Sequence, residues 1–254
     1  MIFSFPLPFS YLIMLPFKPY IEYGRTVCHT SKTDSFQTKE VSAMKIDVYS
    51  DMVCPWCRIG KKNMNDAIDA WHEQTGQEVE VSYHAYQLDP TLPPEGLPFN
   101  SVMEKKMGGV ERLRPMLERV TEAGANVGVT FRFDNVERMP NTVLAHRITA
   151  LLPQEDEATW IEAVMTAYFE DGRDIAKLDV LLEIAAELGL DAEEARRLLD
   201  NGEGQEAVEQ DMAAAKGIGI SGVPFFIIDN KYALSGAYPS AQFLEAFKKI
   251  AQGG

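Results

Sequence analysis

From Met44 onward the chain alternates extended and helical segments, runs helical through residues 99–217, and then returns to two extended segments and a last helix. This order constrains the fold more than any other feature. The order reads as βαβ, a helical insert, then ββα, and strands on either side of so long a helical block have to rejoin one sheet across it. The expectation is an α/β domain formed by 44–98 and 218–254, carrying 99–217 as an all-helical insertion.

Local patterns place the elements. Lys45 to Tyr49 is strand-like, and the helix after it turns Cys57, Ile59, Met64, Ile68 and Trp71 inward, ending at Thr75-Gly76 with glycine in a C-cap position. Val79, Val81 and Tyr83 alternate with Glu78, Glu80 and Ser82, the period of a second strand. Residues Asp89 to Pro98, rich in proline, read as an exposed connection. In the helical block, Leu178, Leu181, Leu182, Ala185 and Leu188 recur at helical spacing, and Asp191 stands three residues before Glu194 like the start of a capping box. Further helices are expected near 110–123, 142–152, 159–169 and 205–216, with one short extended piece at Val129 to Phe133. Pro224 to Ile228, the turn dipeptide Asp229-Asn230 and Lys231 to Ser235 read as a hairpin, followed by a helix bearing Phe243, Leu244, Phe247 and Ile250.

Between the first strand and its helix lies Ser50-Asp51-Met52-Val53-Cys54-Pro55-Trp56-Cys57. Thiolate is the reactive form of cysteine, and the unpaired N–H groups and partial positive charge of a helix N-terminus stabilise it. Cys54 is therefore the expected attacking sulfur. Cys57 follows in the first turn, where it can reach a mixed disulfide and resolve it. Two other readings of a CxxC are weaker. Zinc needs about four ligands, and no second CxxC or paired histidine motif accompanies this one; His29, His72, His84 and His146 are scattered, so no metal is expected. A structural disulfide closing so short a loop constrains the unfolded chain little. Pro55, with its fixed φ, suits the first helical turn, and Trp56 offers an apolar surface to a substrate. Asp51 could tune the Cys54 thiolate or accept its proton, but is read first as a cap or a solvated carboxylate; His146 and His84 are read as hydrogen-bonded packing residues ahead of any direct role.

The other candidate element is Ser221-Gly222-Val223-Pro224, directly before a strand. Proline often merely opens a strand. In this topology, however, a cis Val223-Pro224 bond would place the loop beside the CxxC and let the Val223 backbone pair with an extended substrate. The sequence leaves the isomer open.

Of the 254 residues, 24 are Lys or Arg and 38 are Asp or Glu, for a net charge of −14, which argues against a nucleic-acid partner. Three cysteines provide no disulfide framework, so a reducing compartment is expected. The apolar start, Met1 to Tyr20, is interrupted by Pro6, Pro8, Pro16 and Pro19 and lacks a cationic lead, so neither a membrane span nor a signal peptide is expected. Residues 1–43 are read as a non-native or disordered extension, with Met44 the natural start and Cys28 an incidental thiol.

Taken in order, Tyr49-Ser50-Asp51 before Cys54-Pro55-Trp56-Cys57, then Asn141-Thr142 with Ala145-His146, then Gly222-Val223-Pro224-Phe225-Phe226, the chain resembles the DsbA family of the thioredoxin superfamily and, within it, the FrnE-like branch. The resemblance covers nearly everything after Met44. It implies a thioredoxin fold with a DsbA-like helical insertion and a cytoplasmic protein dithiol-disulfide oxidoreductase. Cys54 would be its nucleophile, Cys57 the resolving residue, and Pro224 a cis-proline lining the substrate site with Val223, Trp56 and Pro55. Some relatives carry a second, C-terminal cysteine pair. No cysteine follows Cys57 here, so electrons are expected to come from or go to an external redox partner. The expected substrates are protein or small-thiol disulfides, and no cofactor is expected beyond the redox pair, with glutathione possible. Two alternatives stand beside this reading. Glutathione-dependent isomerases or transferases of the chromene-carboxylate and kappa types look like relatives, but they generally have serine at the Cys54 position. The other alternative is a redox-independent holdase using the apolar surface around Trp56 and Val223.

Overall fold

The computed structural model describes residues 13–14 and 43–253. Apart from Ile13–Met14 and Ala43, the expectation for residues 1–43 lies outside the described residues. In chain order the elements are β1 (Ile13–Met14), β2 (Met44–Ser50), α1 (Pro55–Thr75), β3 (Val79–Ala85), β4 (Leu97–Pro98), α2 (Phe99–Met107), α3 (Val110–Ala125), β5 (Arg138–Met139), α4 (Val143–Leu151), α5 (Gln154–Phe169), α6 (Leu178–Glu187), α7 (Ala192–Asp200), α8 (Gln205–Gly217), β6 (Phe225–Ile228), β7 (Tyr232–Ser235) and α9 (Ser240–Ala251). Among the described residues no helix is long and apolar enough to cross a membrane.

The main sheet has the order β1-β7-β6-β2-β3. β2 and β3 are parallel, joined by α1, and β6 returns antiparallel to β2. The β6–β7 hairpin closes through Asp229 and Asn230 at φ 49° and 54°. Both lie in the left-handed region that Asp and Asn tolerate, and the Lys231 N–H closes the turn on the Ile228 carbonyl at 3.1 Å.

Alternation sorts the side chains of the sheet. Ile46 and Val48 of β2 pair with Ile228 and Phe226 of β6, and on this face they meet α1 and α9. The aromatic contacts Phe226–Phe243 at 4.8 Å and Trp71–Phe247 at 6.2 Å lock that layer. Tyr49 and Ile227 point the other way and pack with Ala215 and Ile220 at the end of α8. Burying each large apolar side chain contributes about 1.5–3 kcal/mol.

The first turn of α1 is also fastened by charge. Arg58, 4% exposed, donates to Glu162 at 3.0 Å, the Thr130 carbonyl at 2.9 Å, Thr166 Oγ1 at 2.8 Å and Glu170 at 2.7 Å. Lys61 adds a bond to Glu162 at 3.0 Å. Burial pushes the Glu162 carboxyl up, but Lys61 and Arg58 outweigh it and hold the group below its ordinary range.

Two expectations need correction. The Val129 to Phe133 segment is not a strand: Val129 and Phe131 are buried in irregular chain leading into a 3₁₀ turn at Phe133–Asn135. Its backbone is satisfied elsewhere, with Arg132 N–H on the Phe169 carbonyl at 2.8 Å and Arg58 on Thr130. The Asp89 to Pro98 connection is not wholly exposed either. Leu92 is buried, and β4 pairs antiparallel with β5.

Candidate active site

Cys54 is the N-cap of α1, with extended φ −92° and ψ 107°, and Pro55 occupies the first turn, where no backbone N–H is lost. The Cys54 carbonyl accepts the Cys57 N–H at 3.0 Å, and the Cys54 N–H donates to the Asp51 carbonyl at 3.1 Å. Both described cysteines are free thiols, 4% and 2% exposed respectively. Burial pushes the Cys57 thiol well above its ordinary range. The neighbouring Cys54 and the Asp51 charge add to this, and a hydrogen bond to the Asp51 backbone works against it. Cys57 thus keeps its proton while Cys54 occupies the helix N-terminus.

The Val223-Pro224 loop closes over this pair. The peptide bond is cis, and the Cys54 thiol donates to the Val223 carbonyl across 3.6 Å. Gly60 makes the approach possible, since a Cβ there would lie 3.0 Å from Pro224 Cγ and 3.2 Å from Phe226 Cζ. Pro55, Trp56 and Val223 are half-buried around the sulfurs. The residues singled out from sequence, Cys54, Cys57, Pro55, Trp56, Val223 and Pro224, therefore lie together.

Asp51 departs from its expected role as a cap or solvated group. It is 1% exposed, accepts the Leu88 N–H at 2.7 Å and meets His146 Nε2 at 3.3 Å. Only the position of Asp51 next to the CxxC hinted at this, because its partners are 37 and 95 residues away. Among the described residues no cluster of three or more His, Cys, Asp or Glu could hold a metal ion.

On the α8 face, His84 is held by two carboxylates, Asp211 at 2.8 Å and Asp47 at 2.9 Å, and stacks on Tyr49 at 4.8 Å. Burial disfavours its charge, but the two hydrogen bonds prevail and raise its pKa from 6.5 to about 9. The imidazolium therefore stabilises the fold in full below about pH 6.5, and that contribution is lost as pH rises through about 9. The stability difference between the wild type and His84→Gln is expected to shrink as denaturation is repeated from about pH 6 to about pH 10. A difference constant across that span would contradict the assignment.

A parallel β2–α1–β3 unit, completed across a helical block by an antiparallel hairpin and a last helix, is a thioredoxin fold, and a CxxC at its first helix facing a cis-proline places the chain among the thioredoxin-like thiol proteins. More narrowly, the model of the DSBA-like thioredoxin domain family matches residues 45–248, and the chain belongs to that family. It is similar to the uncharacterized protein YwbO of Bacillus subtilis (strain 168), 29% identical over 206 residues that make up 80% of this chain and 94% of that one. Among solved structures it is similar to SCO1869 of Streptomyces coelicolor, described as a probable DsbA oxidoreductase, with 28% identity, TM-score 0.76, and 83% and 91% of the two chains covered. The fold is shared with the cytosolic disulfide reductase DsbM of Pseudomonas aeruginosa, solved with GSH, at 20% identity, TM-score 0.57, and 82% and 99% coverage.

Proposed function

We propose that the protein is a cytoplasmic dithiol-disulfide oxidoreductase working through Cys54 and Cys57. The observation that carries this reading is the placement of Cys54 Sγ at the start of α1, 3.6 Å from the carbonyl of the residue before the cis-proline. Cys54 attacks one sulfur of a substrate disulfide, the other sulfur leaves as a thiol, and Cys57 then displaces the bound sulfur to form the Cys54–Cys57 disulfide. Val223, Pro224, Trp56 and Pro55 line the approach of a protein or small-thiol substrate. An external dithiol or glutathione returns the pair to the reduced state, as the lone CxxC requires.

Equilibrating the full chain in glutathione buffers of graded ratio and quenching with acid tests the reading. A reversible, intramolecular Cys54–Cys57 disulfide is expected, with a transition of two-electron steepness and a midpoint that ranks the protein as oxidant or reductant against the glutathione pool. If the two thiols do not form that disulfide under any ratio, the proposal fails.

A further inference from the structure

The α8 side of the Val223-Pro224 loop holds a cleft that the redox step leaves without a use. It encloses ≈ 440 Å³ between the end of β3 and the last turns of α8, lined by Tyr86, Met212, Ala213, Lys216, Gly219 and Ile220. Backbone contacts hold its walls in place. Asp211 accepts the Ala85 N–H at 2.8 Å, Met212 Sδ accepts the Gln87 N–H at 3.1 Å, and the Ser50 carbonyl accepts the Tyr86 N–H at 3.1 Å. Tyr86 and Val223 pack against the same cluster of Tyr49, Ala215, Ile220 and Ile227, on the face of the sheet turned away from α1 and α9. Ile220 precedes Val223 by three residues, a span of at most about 11 Å, and the Val223 carbonyl meets the Cys54 thiol. A peptide engaged at Cys54 through its half-cystine thus has its next two or three residues within reach of the cleft.

The chemistry of the lining points to one kind of ligand. Met212, Ala213, Gly219 and Ile220 offer apolar surface. Lys216, one helical turn after Met212 and on the same face of α8, is exposed and has no carboxylate partner among the described residues. Asp211, the acidic residue closest to it in sequence, is taken up by His84 and the Ala85 N–H. On a chain of net charge −14, an unpaired ammonium beside an apolar wall reverses the sign of the field locally and attracts an anion that the rest of the surface repels.

We propose that this cleft is a specificity subsite of the exchange reaction, in which Tyr86, Met212 and Ile220 hold an apolar side chain of a disulfide-bearing peptide and Lys216 binds a carboxylate beside it. The inference rests on the disulfide-exchange reading above. It makes the preferred substrate an extended peptide with an apolar and an acidic residue within about three positions of its half-cystine, and it makes Lys216 the residue that sets the charge preference. The sulfur chemistry is unchanged: the substrate disulfide is reduced to two thiols while Cys54 and Cys57 are oxidised to their disulfide.

Mixing the reduced full chain with symmetrical disulfides of end-blocked peptides, and measuring the released peptide thiol after acid quench, tests the subsite. The sequence Glu-Phe-Cys-Phe-Glu presents both features in either chain direction. One companion replaces both Glu by Gln, another replaces both Phe by Gly, and hydroxyethyl disulfide, too small to span Cys54 and the cleft, is the reference. At about 0.15 M salt, where charges act over about 8 Å, the first peptide is expected to oxidise the wild type about fivefold faster or more than either companion. Lys216→Glu should reverse the preference for Glu over Gln, while Lys231→Glu, at the far end of the β6–β7 hairpin, controls for net charge. Ala213→Trp, which fills the cleft from an exposed helical position, should lower the rate with the Phe peptide relative to hydroxyethyl disulfide about tenfold. Wild-type rates within about twofold across the three peptides would overturn the subsite without recourse to any variant. So would a Glu-to-Gln ratio that moves equally in both lysine variants, or one that stays put in Lys216→Glu while stability falls, the mark of a lysine serving only the C-terminus of α8. An unchanged ratio in Ala213→Trp would overturn it as well. If no disulfide of the set oxidises the wild type, the exchange reading itself fails and this inference with it.

Discussion

Replacing Cys54 by serine is expected to bring insulin reduction down to the rate of the reductant alone, because a serine hydroxyl at a helix start has neither the acidity nor the polarisability of a thiol. The Cys57→Ser partner variant should behave differently. Its Cys54 still attacks, but nothing displaces the bound substrate, so a covalent adduct accumulates that a non-reducing gel resolves and dithiothreitol removes. The asymmetry follows from geometry: Cys54 lies at the helix cap facing Val223, while Cys57 sits one turn deeper with its proton retained. Full reductase activity in the Cys54 variant would refute the assignment, and so would equal adduct formation by both single variants.

The other large effect concerns stability. Arg58→Met is expected to cost about 3–5 kcal/mol, towards the lower figure, since the change strands buried partners that the guanidinium now satisfies. Glu162 is 42% exposed and Glu170 22% exposed, so part of their charge returns to water in the variant. Arg58→Lys should recover little, because one ammonium cannot reproduce a fork reaching Glu162, the Thr130 carbonyl, Thr166 and Glu170 together. Urea denaturation of the three proteins checks this, and a loss below about 1 kcal/mol in Arg58→Met would show the network to be an ordinary surface pair.

Arg58 also marks the boundary of what could be read from sequence. Helix ends were legible where the determinant is local. Gly76 takes φ 68° at the end of α1, and the Asp191 side chain accepts the Glu194 N–H at 2.9 Å at the start of α7. The two halves of the sheet were legible because alternation over several residues survives on both sides of the helices. β4 and β5 were not, since two-residue strands, one of them ending in proline, carry no period. The candidate site divides in the same way. The CxxC and the Val223-Pro224 turn announce themselves as short motifs, whereas the burial of Asp51 and Arg58 depends on partners from 37 to 112 residues distant. No window of sequence contains such a contact, and a charged residue in a short window looks solvated by default.

The depth of the sulfurs sets a filter on what can react. If Cys54 is the attacking sulfur, its 4% exposure and its contact with the Val223 carbonyl demand that a substrate disulfide stand out ahead of the chain that bears it. Small flexible disulfides and cystines at the tips of unfolded or protruding segments meet that demand. A cystine seated within a finished hydrophobic core cannot, whatever its potential, so steric reach and not driving force would spare the correctly folded proteins around it.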